Sequence, residues 1–442
     1  MPDPTNASPA ILYQNEQKTT VLIDLPTSVA RAQGLPDHRQ WGVLCSSDPP
    51  TCPFPLTNEP RSASSIPSEN TVNTVIHATY RTLIEKALQE IHQHHHEDWY
   101  VSPRKTALVP RVSKSTSREG GPEHHARSWG RVPVIHYSDS DMIAAPEVYN
   151  VDDAQRLNFT ASSIYNKVLR NSQDTDTSMA VLPTSSKPRT SYHIPPLATF
   201  ILSKVEDSVS TFRAASTLYL PARTRDADVG QFDFVLLDPP WPNASAKRAK
   251  SYQRPRSLRQ TGDLLTTLQL TRHIAPSGIV AIWITNKPGV RELVLGTDRD
   301  HSNGVSPASL SGVEEDSLFE LWKLQLIEEW IWIKTTSDGV PIMDMESRWR
   351  KPYEVMLIGR KQLPGGMGPP RAVQRRVIAG VPDLHSRKPS VKELVESIMA
   401  WPGRYRALEI FARNLTQGWW AWGDEVLDFN EHCQWTPINE AP

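Results

Sequence analysis

Asp238-Pro239-Pro240-Trp241 places a carboxylate, a rigid main-chain carbonyl and a large aromatic face within four residues. That set suits transfer of a methyl group to the exocyclic amine of adenine. The amine is a poor nucleophile, because its lone pair is delocalised into the ring. A catalyst must accept its two N–H groups, stabilise the positive charge growing on nitrogen, and hold the methyl donor close. Asp238 can accept one N–H and the carbonyl of Pro239 the other. Prolines fix φ, so Pro239 and Pro240 hold both acceptors in place before turnover. Trp241 offers a face for an unstacked base. The related Asp48-Pro49-Pro50-Thr51 has no aromatic residue and no preceding strand pattern, and reads as a turn.

The elements that must position this tetrapeptide are legible around it. Phe232 to Leu237 reads as a strand, and an open α/β sheet puts its reactive crevice beyond the carboxyl ends of its strands. Leu264, Leu265 and Leu268 predict a helix, closed by Pro276-Ser277-Gly278, and Ile279 to Ile284 predicts a second strand. Strand, helix, strand is a βαβ unit and implies a parallel sheet. Further strands are expected at Trp330 to Lys334, Tyr353 to Ile358 and Arg406 to Phe411, and a helix at Phe319 to Leu326. Ser390 and Glu393 form a capping box ahead of an apolar helical face at Val391, Leu394, Val395 and Ile398.

The first half of the chain is less regular. Residues 1–70 read as irregular or partly disordered, with one weak strand signal at Thr20 to Ile23. Residues 71–191 read as an accessory region: an amphipathic helix from Val75 to about His94, a basic stretch at 102–130 and a polar linker at 170–190. Residues 192–430 read as the catalytic domain and 431–442 as a tail. His92, His94, His95 and His96 read as a polar helix end, so no metal site is expected. The 442 residues include 38 prolines and three cysteines, with a net charge of -1. No global basic footprint exists, and the cysteines do not form a disulfide framework. Neither a signal peptide nor a membrane-spanning run is expected, and no membrane partner.

An ordered set of segments then resembles the adenine-N6 methyltransferase family of the eukaryotic messenger-RNA methylation enzyme, closest to its methyltransferase-like-four branch. They are Pro195-Pro196 with Thr199 to Ser203; Asp238 to Trp241 with Asn243, Ser245, Lys247, Arg248 and Tyr252; Trp283-Ile284-Thr285-Asn286; and Lys351-Pro352-Tyr353-Glu354. Leu384 to Pro389, Glu409 to Leu415, Gly418-Trp419 and Trp422 to Glu425 follow in the expected order. The resemblance implies a Rossmann-like class I methyltransferase, circularly permuted, using S-adenosyl-L-methionine. It implies cofactor contacts at Ser203, Lys204, Asp238, Lys388, Arg413, Asn414, Asp424 and Glu425. Substrate contacts would come from Asn243, Lys247, Arg248, Tyr252, Thr285, Asn286, Lys351 and Glu354. Lys204 and Asp424 depart from the family, which often has Asp and usually has Asn there.

Nucleic acid is the expected partner, RNA ahead of DNA. Lys247, Arg248, Lys250, Arg254, Arg256 and Arg259 crowd the segment after the catalytic loop, where no acidic residue interrupts Trp241 to Gly262. Such a loop can position phosphates. Arg348, Arg350, Lys351, Arg371, Arg375 and Arg376 extend the basic rim. Two alternatives stand beside this reading: a DNA adenine methyltransferase, and a catalytically silent RNA-binding scaffold subunit. A protein partner is compatible with either. Nuclear placement, with cytoplasmic placement also allowed, follows only from the substrate class.

Overall fold

Every residue from Phe232 to Leu237 is apolar except Asp233, and this strand lies near the middle of a twelve-stranded sheet. The computed structural model describes residues 9–34, 43–55, 74–102, 104, 148–151, 159–182, 190–220, 230–242, 257–296, 316–347, 350–363, 372–384, 387–399 and 404–436. With strands numbered along the chain, the sheet begins at β1 (Ile11–Gln14), β2 (Thr20–Ile23), β14 (Gln374–Gly380), β12 (Leu324–Lys334) and β13 (Tyr353–Lys361). It continues through β11 (Ile274–Ile284), β10 (Phe232–Leu237), β15 (Ala407–Ile410), β16 (Trp420–Gly423), β9 (Thr199–Leu202), β6 (Val168–Arg170) and β4 (Val148–Asn150). Outside it, β3 (Val43–Leu44) pairs with β17 (Trp435–Thr436), and β5 (Phe159–Thr160), β7 (Thr177–Leu182) and β8 (Thr190–Ile194) form a small sheet.

β11, β10, β15, β16 and β9 run parallel as neighbours. β13 is antiparallel to both β11 and β12, so β12 points the same way as β11, and β14 and β2 follow it. Their carboxyl ends therefore share one edge. The order of formation matters. After β10 the chain moves to β11 on one side, and after β15 it moves to β16 on the other. The gap beyond β10 and β15 is thus a topological switch point, where open α/β sheets bind ligands.

Alternate residues of the central strands feed two cores. Phe232, Val235 and Leu237 join one with Ile282, Ile284, Ile331 and Ile333; Phe234 and Leu236 join the other with Trp283, Trp330 and Trp332. Both faces are covered, which explains runs that are apolar throughout rather than alternating. The first face carries the helix Thr74–His94 through Tyr80, Ile84, Leu88 and Ile91, together with helices Val209–Tyr219, Leu258–Thr267 and Pro288–Leu295. The second carries helices Leu25–Ala32 and Lys392–Met399.

Four expectations are corrected. The region read as irregular supplies β1, β2 and helix Leu25–Ala32, and all four residues of β2 are buried beside β14. A four-residue strand is a weak local signal; its pairing with a segment more than 350 positions away stabilises it. The reading of 170–190 as a polar linker gives way to β7, whose Met179 and Val181 are buried. The helix expected to reach Leu326 spans only Leu318–Leu321, because Lys323 turns left-handed at φ 56 and β12 begins at Leu324. The box at Ser390 does not close: its hydroxyl meets the Lys392 amide at 3.4 Å, while Glu393 pairs with Arg31 of the N-terminal helix.

Among the described residues no helix is long and apolar enough to cross a membrane, and no group of three or more His, Cys, Asp or Glu side chains is placed to hold a metal. His92 packs on Trp99, His94 stacks on Tyr13, and His95 bonds the carbonyl of Asp98.

Candidate active site

Leu237 ends β10, and the next residue, Asp238, is carried out of the sheet at the switch point. Its amide donates to the carbonyl of Ile410 at 3.3 Å, which ties the start of the loop to the end of β15. Pro239 and Pro240 then turn the chain. The amide of Trp241 returns to the Pro239 carbonyl at 2.8 Å. That carbonyl keeps one lone pair, since a carbonyl oxygen has two.

Trp241 differs from the open stacking platform expected. It is 6% exposed, and its indole N–H donates to the carbonyl of Trp283 at 2.7 Å. A buried indole must satisfy its N–H, and the bond to β11 does so. The ring anchors the loop.

The Asp238 carboxylate meets the Lys388 ammonium at 2.8 and 2.7 Å through its two oxygens. Lys388 lies 3.5 Å from Glu354, and Glu354 lies 2.6 Å from Lys334. The four side chains form a line of alternating charge across β10, β13 and β12. Two tryptophans back the cations: Lys388 sits 5.4 Å from the centre of the Trp283 ring, and Lys334 sits 4.8 Å from that of Trp332. These rings meet edge to face at 6.2 Å. Burial by itself would raise Glu354, but Lys334 and Lys388 outweigh it and hold the carboxyl at about 2. For Lys388, burial works against the charge, and Asp238 and Glu354 overcome it, so the ammonium is raised above its usual range. Across the gap on β15, Glu409 is pushed up to about 8, first by burial and then by the Asp238 charge.

A cleft of about 530 Å³ of empty space, open solvent at its mouth included, lies beyond β10 and β15. Asp238, Lys388, Glu409, Phe411, Arg413 and Asn414 line it. Arg413 lies 2.9 Å from Glu425 and its guanidinium rests 4.9 Å from the Phe429 ring centre. Asp424 follows β16, and burial and then Glu425 raise its carboxyl. Ser203 and Lys204 follow β9 at the same edge. The Ser203 amide donates to the Gly423 carbonyl at 3.2 Å, while its hydroxyl is buried with no partner among the described residues. The cationic end of the cleft at Lys388 and its apolar walls at Phe411 and Trp419 fit the carboxylate and sulfur chain of S-adenosyl-L-methionine, while Ser203, Asp424 and Glu425 follow β9 and β16 at the same sheet edge, outside the cleft lining.

The substrate set is split. Thr285 and Asn286 follow β11 at this edge. The Thr285 hydroxyl is buried without a partner among the described residues, whereas the Asn286 amide is held by the Tyr353 carbonyl at 2.6 Å. Asn286 thus clamps β11 to β13. Glu354 stands beside Lys388 as expected. Lys351 does not join it: its ammonium bonds the Met345 carbonyl at 2.6 Å and His77 of the helix Thr74–His94 at 3.0 Å. Proline at 352 separates the two and lets Lys351 leave the strand. Asn243, Lys247, Arg248 and Tyr252 lie outside the described residues, as do Arg348 and Arg371. Arg375 and Arg376 turn to Glu329 and Glu328 at 2.6 Å each and brace β14 against β12. Sequence reasoning missed Lys334 and Glu409. Glu409 is the lone charge of the apolar β15, and Lys334 ends the apolar run Trp330 to Ile333 of β12; those were the available signals.

Comparison with known proteins agrees with this geometry. The model of the family described as MT-A70 matches residues 232–295 and 308–425, which span the catalytic loop, Glu354, Lys388 and the β15 edge. The chain is 31% identical over 435 residues to the N6-methyladenosine RNA methyltransferase MTA1 of Cryphonectria parasitica, covering 96% of this chain and 94% of that one. It is 31% identical over 446 residues to the protein of the same name from Pyricularia oryzae, covering 96% of each. With the human N(6)-adenine-specific methyltransferase METTL4 it shares 28% over 248 residues, 54% of this chain and 43% of that one.

Proposed function

The chain belongs to the MT-A70 adenine-N6 methyltransferase family, and from that premise we propose that it methylates the N6 amine of adenine in RNA, using S-adenosyl-L-methionine. The observation that carries this reading is the Asp238 carboxylate, held by Lys388 at the mouth of the switch-point cleft. Both Asp238 oxygens keep a lone pair after bonding Lys388, so the carboxylate can still accept an amine N–H. The Pro239 carbonyl accepts the second. The two acceptors draw density toward nitrogen and stabilise its developing positive charge. Trp241 fixes the loop they sit on.

The bound cofactor supplies an electrophilic methyl group on a sulfonium. In our reading Lys388 and Arg413 take its carboxylate side, and Asn414, Asp424 and Glu425 its ribose side, with Ser203 and Lys204 closing the far end. Lys388 would then shift part of its contact from Asp238 to the ligand as the site fills. The five strands with the catalytic strand β10 ahead of β15 in sequence support a circularly permuted class I arrangement. Residues 243–256 and Arg259 would position phosphates, and a nuclear location would follow from an RNA substrate.

RNA is favoured because the two fungal relatives that align along nearly the whole chain are named RNA methyltransferases. DNA adenine is the second reading. The test is methyl transfer from labelled cofactor to matched RNA and DNA oligonucleotides, beside Asp238→Ala. Transfer to RNA that disappears in Asp238→Ala supports the proposal; a preference for DNA replaces the substrate, and cofactor binding with no transfer to either strand points to the silent scaffold.

A further inference from the structure

We infer that Lys334, at the end of β12, is a positioning residue for the Asp238 carboxylate, acting through Glu354 and Lys388. The inference rests on the adenine-methylation reading for what Asp238 does, and on geometry alone for how Lys334 reaches it. Lys334 touches neither Asp238 nor the cleft. It bonds one oxygen of Glu354 at 2.6 Å, and the other oxygen of Glu354 faces Lys388 at 3.5 Å. Lys388 in turn bridges both oxygens of Asp238.

The unequal distances carry the argument. Lys388 stands between two carboxylates and sits closer to Asp238, at 2.7 Å, than to Glu354, at 3.5 Å. Lys334 neutralises Glu354 from its far side and so weakens its pull on Lys388. Side-chain exposures of 17 to 28% leave these charges only partly screened. Remove the Lys334 ammonium and Glu354 becomes the carboxylate with fewer partners. Lys388 then moves toward it and leaves Asp238 less firmly held. The construction repeats itself, since each lysine lies over its own tryptophan, Trp332 or Trp283, and each bonds a carboxylate. The charged groups facing Glu354 are Lys334 from β12 and Lys388 from the segment before helix Lys392–Met399. Asp238 and Glu409 stand behind Lys388 on β10 and β15.

The test compares Lys334→Met and Lys334→Arg with the full-length wild type. In Lys334→Met, kcat is expected to fall about tenfold, with KM for the RNA oligonucleotide within about twofold, as for loss of an interaction felt at the transition state. Glu354 loses the cation that most lowers it, so its pKa rises, and the kcat deficit is expected to be greatest where Glu354 is ionised and to narrow as pH falls and Glu354 protonates, because a neutral Glu354 no longer draws Lys388 from Asp238. Lys334→Arg keeps the charge and restores both. A uniform loss at every pH, or no rescue by arginine, would overturn the inference and leave Lys334 as packing. A crystal structure of Lys334→Met tests the same point without turnover. Lys388 centred on Glu354 supports the inference, and Lys388 unmoved on Asp238 sinks it. Failure of the wild type to methylate adenine would instead count against the proposed function.

Discussion

The same tripeptide, Asp-Pro-Pro, occurs twice in this molecule and does different things. Asp238-Pro239-Pro240 leaves a parallel strand that is buried on both faces, at the point where the sheet order reverses. Asp48-Pro49-Pro50 follows the two-residue strand β3 and crosses the outer side of the β12–β13 loop. There the Pro50 carbonyl accepts the Ser337 amide at 2.8 Å, and the Phe54 amide donates to the Ile342 carbonyl at 2.7 Å. Gly339 in that loop, at φ +77, packs so tightly on Trp99 that a Cβ would lie 2.4 Å from the ring. The second tripeptide is a fastening and the first a site. Prolines rigidify both; the first has Lys388 on its carboxylate and a cleft in front of it.

The largest difference is expected from the two alanine variants. Asp238→Ala should lower kcat about 100- to 1000-fold, comparable to loss of one transition-state acceptor elsewhere, with the fold intact by circular dichroism. Next, Trp241→Phe removes the donor for the buried Trp283 carbonyl. An orphaned buried acceptor costs on the order of 1–3 kcal/mol, so a lower melting midpoint is expected, with reduced kcat as the loop loosens. An unchanged midpoint would mean the indole N–H does not anchor the loop.

Glu409→Gln sharpens the comparison through pH. The folded state keeps a Glu409 proton up to about 8, whereas an unfolded carboxyl loses it near its ordinary value of 4.5. Stability from this group is therefore full below about 4.5 and declines as pH rises toward 8. The glutamine variant should melt higher than wild type at pH 8, by about 2–4 °C, and alike at pH 4.5, as read by calorimetry. Equal midpoints at pH 8 would remove the burden assigned to that strand. The smallest effect on turnover belongs to Asp48→Ala, with kcat within about twofold of wild type, as for an exposed position outside the cleft. A large loss of kcat there would erase the distinction between the two tripeptides.

Legibility followed the range of the interactions. β10 was read with the bounds it has, because its apolar run, acidic end and following prolines are all local. β12 was read to its end at Lys334 and β13 from its start at Tyr353, but the start of β12 at Leu324, the end of β13 at Lys361 and the start of β11 at Ile274, before the Pro276-Ser277-Gly278 signal expected to precede it, were not. β2 was nearly overlooked because four residues say little until β14 lies beside them. The family resemblance set Lys351 and Glu354 together beside the base, yet Pro352 and the helix Thr74–His94 send them to different partners. Trp241 was read from its chemistry as a platform, and its burial made it an anchor.

What the sequence determined was the set of groups: an acid and two prolines beyond an apolar strand, tryptophans in neighbouring strands, and cations and acids near the far end. These follow from residue type and short spacing, so they survive without coordinates. What only the tertiary structure decided was which charges meet. Asp238, Lys334, Glu354 and Lys388 come from four separate segments, and no periodicity links them. They meet because parallel pairing brings the ends of β10 and β12 to one edge and antiparallel pairing brings the start of β13 to the same place. Coulomb attraction over a few ångströms then selects among the charges gathered there, and that selection depends on distance in space alone.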